Sequence, residues 1–178
     1  ILKLYRFLFR NKSKKPFPQG EVSNKGFLSK IIAFIRGNFF IPDARKGWNS
    51  FAIRAGEEIL KKEKIHSVIT TGPPHSTHLI GLKLREKFKF NWLIDLRDPW
   101  TDIFYLKDMY RMSWAKSIDS KYEKKVLNSA DAILTTAKIN FHKQLREKII
   151  DKNKPFYNIY NGYDHEIFSK IKSKYKQT

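Results

Sequence analysis

Apolar residues recur along this chain at two alternating periods, and the alternation dictates its architecture. From Arg45 to Lys64, the positions Trp48, Phe51, Ala52, Ala55, Ile59 and Leu60 fall on one face of a helix. The β-prone run His66 to Thr70 follows, and Gly72-Pro73-Pro74 breaks it. Helical spacing resumes from Ser76 to Lys87 through Leu79, Ile80, Leu82 and Leu84. Trp92, Leu93, Ile94 and Leu96 make a second strand, closed by Arg97-Asp98-Pro99-Trp100. A polar, aromatic stretch leads to about Met112, where Ser113 is placed to cap a helix carrying Ile118, Tyr122, Val126 and Leu127 on one face. Asp131 to Thr136 reads as a third strand, Ile139 to Ile150 as a helix, and Phe156 to Tyr160 as a fourth strand. Asn161-Gly162 turns the chain, and Ile167 to Tyr175 has the spacing of a last helix. Upstream, Ser29 to Arg36 predicts a short helix ended by Gly37, residues 10–26 read as a polar loop, and residues 1–9 mix apolar and basic types.

Strands alternating with helices of ten or more residues imply βαβ units and a parallel sheet. The expected fold class is therefore α/β: an open, doubly wound, Rossmann-like parallel sheet with helices on both faces. In such sheets ligands sit beyond the carboxyl ends of the strands. That rule selects three loops, those after Thr71, after Leu96 and after Tyr160. The chain divides into a basic and aromatic segment with its polar loop (residues 1–26), a sheet domain (27–164) and a C-terminal helix or hinge (165–178).

Composition narrows the partners. The 178 residues suffice for one domain with a full core. A hydrophobic content of 41% is too high for a disordered chain. Thirty-six Lys and Arg against 17 Asp and Glu give a formal charge of +19, which attracts nucleic acid, acidic lipid headgroups or phosphorylated substrates. Cysteine is absent, which excludes disulfides and thiolate metal sites and fits a reducing, cytoplasmic compartment. No stretch approaches the ~18 consecutive apolar residues that span a bilayer, and no signal peptide is recognisable. The chain starts at Ile1 rather than Met, so it reads as a piece of something longer.

The first loop, Gly72-Pro73-Pro74-His75-Ser76, joins a strand to a helix start. Gly72 allows a sharp turn, the prolines stiffen it, and the amides of His75, Ser76 and Thr77 offer an anionic or hydroxyl-bearing ligand the start of a helix. The simpler reading is a capped strand-to-helix turn, with His78 packed in the core. His75 and His78 share a helical face, but no third metal ligand is indicated nearby, and no metal is expected. In the second loop Asp95, Arg97, Asp98, Trp100 and Asp102 crowd one strand end. Arg97 offers a fork for phosphate or sugar hydroxyls, Asp98 an acceptor and Trp100 a flat apolar face. Alternatively, Asp95, Arg97 and Asp98 merely pin the loop. The third loop, around Asn161 and Gly162, is by itself only a turn signal.

Taken in order, three segments carry a resemblance: IPDARKGW (Ile41 to Trp48), VITTGPPHSTHLIGLKL (Val68 to Leu84) and WLIDLRDPWTD (Trp92 to Asp102). With the strand from Asn128 to Thr136 and the turn IYNGYD (Ile159 to Asp164), they resemble the N-terminal domain of family-4-type glycosyltransferases of the two-domain GT-B fold. The match runs over roughly residues 38–168, and the GPPHS and DLRDPW pair is similar to a bacterial subgroup that assembles surface polysaccharide. The resemblance implies an acceptor-binding domain holding a glycan or lipid-linked acceptor, with Gly72, Pro73, Pro74, His75, Ser76, Arg97, Asp98 and Trp100 at the site. Asn161 and Gly162 would lie at the hinge. The nucleotide-sugar donor would bind a C-terminal domain, usually without metal or other cofactor. Arg97 stands where the family usually has His, and the family's first strand with its glycine-rich loop is not found upstream. The family's paired glutamates, eight positions apart on the donor side, have no counterpart here.

The resemblance also implies a lipid-linked substrate, and hence contact with the anionic inner face of the cytoplasmic membrane. Candidate contacts are Leu4, Tyr5, Phe7, Leu8 and Phe9 with Lys3, Arg6 and Arg10, and Phe34, Ile35, Phe39 and Phe40 beside Arg36. A basic nucleic-acid-binding α/β module is the alternative, but no helix-turn-helix, zinc or RNP signature accompanies the charge. A dinucleotide enzyme would need Gly-x-Gly-x-x-Gly after a strand, and none of the eight glycines forms one. No specific nucleic acid is therefore expected as a partner.

Overall fold

The computed structural model describes residues 26–137 and 139–169. The expectations for residues 1–25 and for most of the last helix lie outside them; the described start of that helix, residues 165–169, is helical. Four parallel strands, β1 (Ser67–Gly72), β2 (Asn91–Leu96), β3 (Ala132–Thr135) and β4 (Phe156–Asn158), form one open sheet in the order β1-β2-β3-β4. Helix α1 (Phe27–Phe39), a 3₁₀ turn at Lys46–Trp48 and α2 (Asn49–Lys62) precede the sheet. The crossovers are α3 (Ser76–Arg85), α4 (Ser113–Ser129) and α5 (Ile139–Lys148). The fold is α/β with an all-parallel, Rossmann-like sheet, the class that the two periods imply.

Strand parity determines what is buried. Trp92, Ile94 and Leu96 of β2 and Ile133 of β3 point into one core with Ile80, Leu82 and Leu84 of α3, Val126 and Leu127 of α4, and Leu145 of α5. Crossovers in a sequentially ordered parallel sheet share one hand, so successive helices stack on the same face. The three crossover helices accordingly contribute to a single core. The opposite face carries the odd residues of β1 and β2, and there Ile69 keeps 64% of its surface and Tyr157 of β4 keeps 55%. The second helical layer of a double winding is thus not formed by the described residues.

Two local expectations are corrected. Gly37 does not end α1, which continues to Phe39. A Cβ at Gly37 would stand 2.6 Å from the Met109 carbonyl oxygen, so this glycine serves the close approach of α1 to a 3₁₀ segment, Phe104–Met109, that the periodicity does not reveal. Ser113 is not the cap of α4. Met112 occupies that position in an extended conformation, with no side-chain cap, and donates its N–H to Asn38 Oδ1 at 2.7 Å. The far end of α4 is closed by Lys154, whose Nζ donates to the carbonyls of Leu127, Asn128 and Ala130. That is the favourable placement of a cation at a helix carboxyl end.

Candidate functional site

The carboxyl ends of β1 and β2 lie side by side, with Gly72 paired to Leu96. The loops that leave them therefore meet. Arg97 donates its backbone N–H to the Gly72 carbonyl at 3.1 Å and its guanidinium Nη2 to the Pro73 carbonyl at 3.3 Å. The His75 ring stacks on the Trp100 indole, with centroids 5.0 Å apart and planes 7° apart. Thr136, at the end of β3, donates its hydroxyl to the Arg97 carbonyl. Three strand ends are thereby tied into one edge.

Beneath this edge lies a cavity of about 90 Å³ lined by Pro73, Pro74, His75 and Trp100, together with Asp43, Tyr105 and Arg111 among others. It has room for a few water molecules and not for a sugar ring. Arg97 and Asp98 are exposed and lie outside its lining, although Asp98 is close enough to act electrostatically on His75. Asn161 and Gly162 are exposed and do not line it. The eight acceptor-side positions therefore divide into cavity lining (Pro73, Pro74, His75, Trp100), support (Gly72, Ser76) and exposed rim (Arg97, Asp98).

The start of α3 does not present the open anion site expected of it. Asp43 accepts from the Ser76 N–H at 2.8 Å and from the Ser76 hydroxyl at 2.9 Å. The Thr77 and His78 amides donate to the carbonyls of Pro74 and His75. An internal carboxylate already fills the position that the helix dipole favours for an anion. Asp43 comes from a loop 33 residues upstream, so this cap was not readable locally.

Gly72 is needed for space, not for a turn. Among the described residues Gly26 is the glycine with positive φ, whereas a Cβ on Gly72 would fall 2.6 Å from His78 Nε2 and 3.0 Å from His75 Nδ1. The peptide bonds before Pro73 and Pro74 are both cis. His78 is fully buried, and its Nδ1 lies 2.9 Å from the Thr70 hydroxyl, which in turn accepts the Trp92 indole N–H at 3.0 Å. The direction of the Thr70–His78 hydrogen bond depends on the ring's tautomer, and Nε2 is buried without a hydrogen-bond partner. This bears out the packed-core reading of His78.

Trp100 is not an open platform for a ligand. It is 2% exposed, one face is taken by His75, and its indole N–H donates to Asp119 Oδ1 at 2.7 Å. Asp119 Oδ2 pairs with Arg111 Nη2 at 2.8 Å, and Arg111 Nε donates to the Gly37 carbonyl of α1. A buried polar chain therefore runs from the site wall back to the first helix. Asp43, Arg111 and Asp119 were missed as site residues, because each acts through partners distant in sequence.

Burial dominates the electrostatics. It pushes His75 down to about 4, against the pull of Asp43 and Asp98, and His78 down to about 3, with His75 adding to the effect. Both rings are neutral at pH 7. Both nitrogens of His75 are buried beside the cavity; neither makes a hydrogen bond of good geometry, although the Pro99 backbone is close enough to raise the ring's proton affinity. Burial also raises Asp119, despite the opposing Arg111, and raises Tyr105. Among the described residues, no three His, Asp or Glu converge as metal ligands. No family model, no curated protein and no solved structure matches this chain.

Proposed function

We propose that this chain is the acceptor-binding half of a glycosyltransferase that moves a sugar from a nucleotide-sugar donor to a glycan or lipid-linked acceptor in surface polysaccharide assembly. The observation that carries the reading is the meeting of the GPPHS and DLRDPW loops at one sheet edge, with Arg97 and Asp98 exposed on its rim. Those two segments are among those that carry the family resemblance.

The roles follow from charge and access. The exposed Asp98 carboxylate accepts from an acceptor hydroxyl and orients it, while Arg97 binds hydroxyls or a phosphate of the acceptor. His75 is a poor general base at neutral pH, because burial leaves it with little affinity for a proton. It serves instead as the rigid wall against which the rim loops are set. The cavity is too small to enclose a sugar, so the acceptor lies across its mouth and is covered by a second, donor-binding domain.

Two measurements test the reading. Calorimetry of this chain with UDP-, GDP- and ADP-sugars should show nothing tighter than about millimolar, roughly −4 kcal/mol. Micromolar affinity for any of them overturns the half-enzyme reading. In the complete enzyme, Asp98→Ala should lower turnover by roughly 10²-fold or more while the melting temperature stays within about 2 °C, since the side chain is exposed. Loss of stability in proportion to activity would make Asp98 a loop-pinning residue.

A further inference from the structure

The cavity under the sheet edge, at about 90 Å³, is large enough for one substituent of a sugar and not for the ring. It lies next to the Arg97–Asp98 rim. The Asp98 carboxylate is close enough to act electrostatically on both His75 and Tyr105, and both belong to the cavity wall. A hydroxyl held at Asp98 therefore places the neighbouring ring carbon at the cavity, and the cavity's chemistry selects what that carbon carries.

Much of the wall is apolar, supplied by Phe40, Pro42, Pro73, Pro74, Ile103 and Leu106. Its charges balance, because Arg36 and Arg111 are matched by Asp43 and Asp119, and His75 is neutral at pH 7. A carboxylate or phosphate entering here would lose its hydration without meeting a net positive charge. The Tyr105 hydroxyl makes no hydrogen bond to another described residue. Burial holds its pKa above the ordinary value, so it keeps its proton and can donate. A hydroxyl substituent would leave the apolar wall uncovered, and a bare methyl would leave Tyr105 without an acceptor. An acetamido group supplies both, a methyl for the wall and a carbonyl for the phenol.

We infer that the cavity receives an acetamido group of the acceptor sugar, carried on the carbon next to the hydroxyl that Asp98 orients. The inference rests on the acceptor reading above and narrows it to one substrate class. It makes Tyr105 and Ile103 specificity residues, both supplied by the chain that leaves the DLRDPW loop and enters the 3₁₀ segment against α1. Filling an apolar pocket with one small group discriminates by about tenfold or more, and a hydrogen bond left unmade adds to that.

The test is NMR titration of this chain with the methyl glycosides of N-acetylglucosamine and N-acetylgalactosamine, and with those of glucose, galactose and glucosamine. At least one acetamido sugar should bind about tenfold more tightly than its hydroxyl and amino counterparts. Saturation transfer should be strongest at the acetamido methyl, and the amide shifts should centre on His75, Tyr105 and Leu106. Ile103→Phe, which fills the cavity, should remove the preference while weak binding of the hydroxyl sugars persists. Tyr105→Phe should weaken the acetamido sugar alone, by about fivefold. Circular dichroism checks folding, and Leu106→Phe replaces Ile103→Phe if that variant does not fold. Equal binding of all the sugars overturns the inference and leaves the acceptor reading standing. So does a preference that survives in both folded variants, or one whose shifts map to another surface. If no sugar of either kind binds, the acceptor reading fails and the inference fails with it.

Discussion

Acid should destabilise this domain before most of its carboxylates protonate, because two histidines are buried neutral in one stack. His75 and His78 titrate at about 4 and about 3 in the folded chain, against an ordinary value of 6.5. Between those values the unfolded chain binds more protons than the folded one, so stability is fully present above pH 6.5 and falls as the pH drops toward the folded values. From pH 8 to pH 5 the linkage relation gives a loss of about 2 kcal/mol for each ring, or about 4 kcal/mol for both. That is a large share of a typical domain stability of about 5–15 kcal/mol. With a urea dependence of about 2 kcal/mol per molar, the midpoint should fall by roughly 2 M over this range. In the window from pH 7 to pH 5 carboxylates held below their usual range, such as Asp131 beside Arg85, keep their contribution, while the raised Asp119 acts with the opposite sign and can only reduce the slope. Urea denaturation at half-unit pH steps, followed by circular dichroism, measures the slope. His78→Gln, or His75→Gln if the first variant fails to fold, should halve it whatever the variant does to the stability at pH 8. A midpoint that stays constant from pH 7 to pH 5 would refute the buried, neutral stack and the packing built on it.

Two further substitutions probe the framework. A Cβ at Gly81 would lie 2.6 Å from the Trp92 indole, so Gly81→Ala must displace a fully buried ring and should cost about 1–3 kcal/mol, read as a lower melting temperature. Asp119→Ala strands the buried Arg111 guanidinium and the Trp100 indole N–H, and should cost about 3–5 kcal/mol in urea denaturation; a loss under about 1 kcal/mol would mean that Arg111 finds another partner.

The four strands and the crossover helices were legible because they rest on local period. Trp92, Ile94 and Leu96 alternate with Leu93 and Asp95 as a half-covered strand must, and the structure buries the first set. Boundaries moved where a partner decides them. β1 extends two residues past Thr70 because Thr71 and Gly72 pair with Asp95 and Leu96. Gly37 and Gly72 were both identified as special positions but explained by backbone freedom, whereas each makes room for a neighbour, Met109 in one case and the histidine pair in the other. The helix N-terminus at Ser76 was legible as an anion site, but not that Asp43 fills it. Nothing in the local sequence announces a carboxylate arriving from 33 residues away.

The loop that supplies Asp43 also sets how the outer surface communicates with the site. Helix α1 ends at Phe39, and four residues later the chain places Asp43 on the start of α3. From the same helix, the Gly37 carbonyl holds Arg111, Arg111 holds Asp119, Asp119 holds Trp100, and Trp100 stacks on His75. Both connections end on the loop that forms the cavity wall, one through its helix cap and one through its stacked ring. The Arg111–Asp119 pair is buried and Asp43 half-buried, so tilting α1 would break a charged pair or uncover a helix cap, each costing on the order of 1–5 kcal/mol. These contacts imply that the helix and the cavity should move as one body. Gly37→Ala tests the link, because its Cβ pushes α1 off Met109. If the helix and the site are rigidly linked, hydrogen exchange at the amides of Ser76, Thr77 and Met112 should rise together in this variant. Exchange that rises at Met112 and stays unchanged at Ser76 would show that α1 is anchored independently of the site.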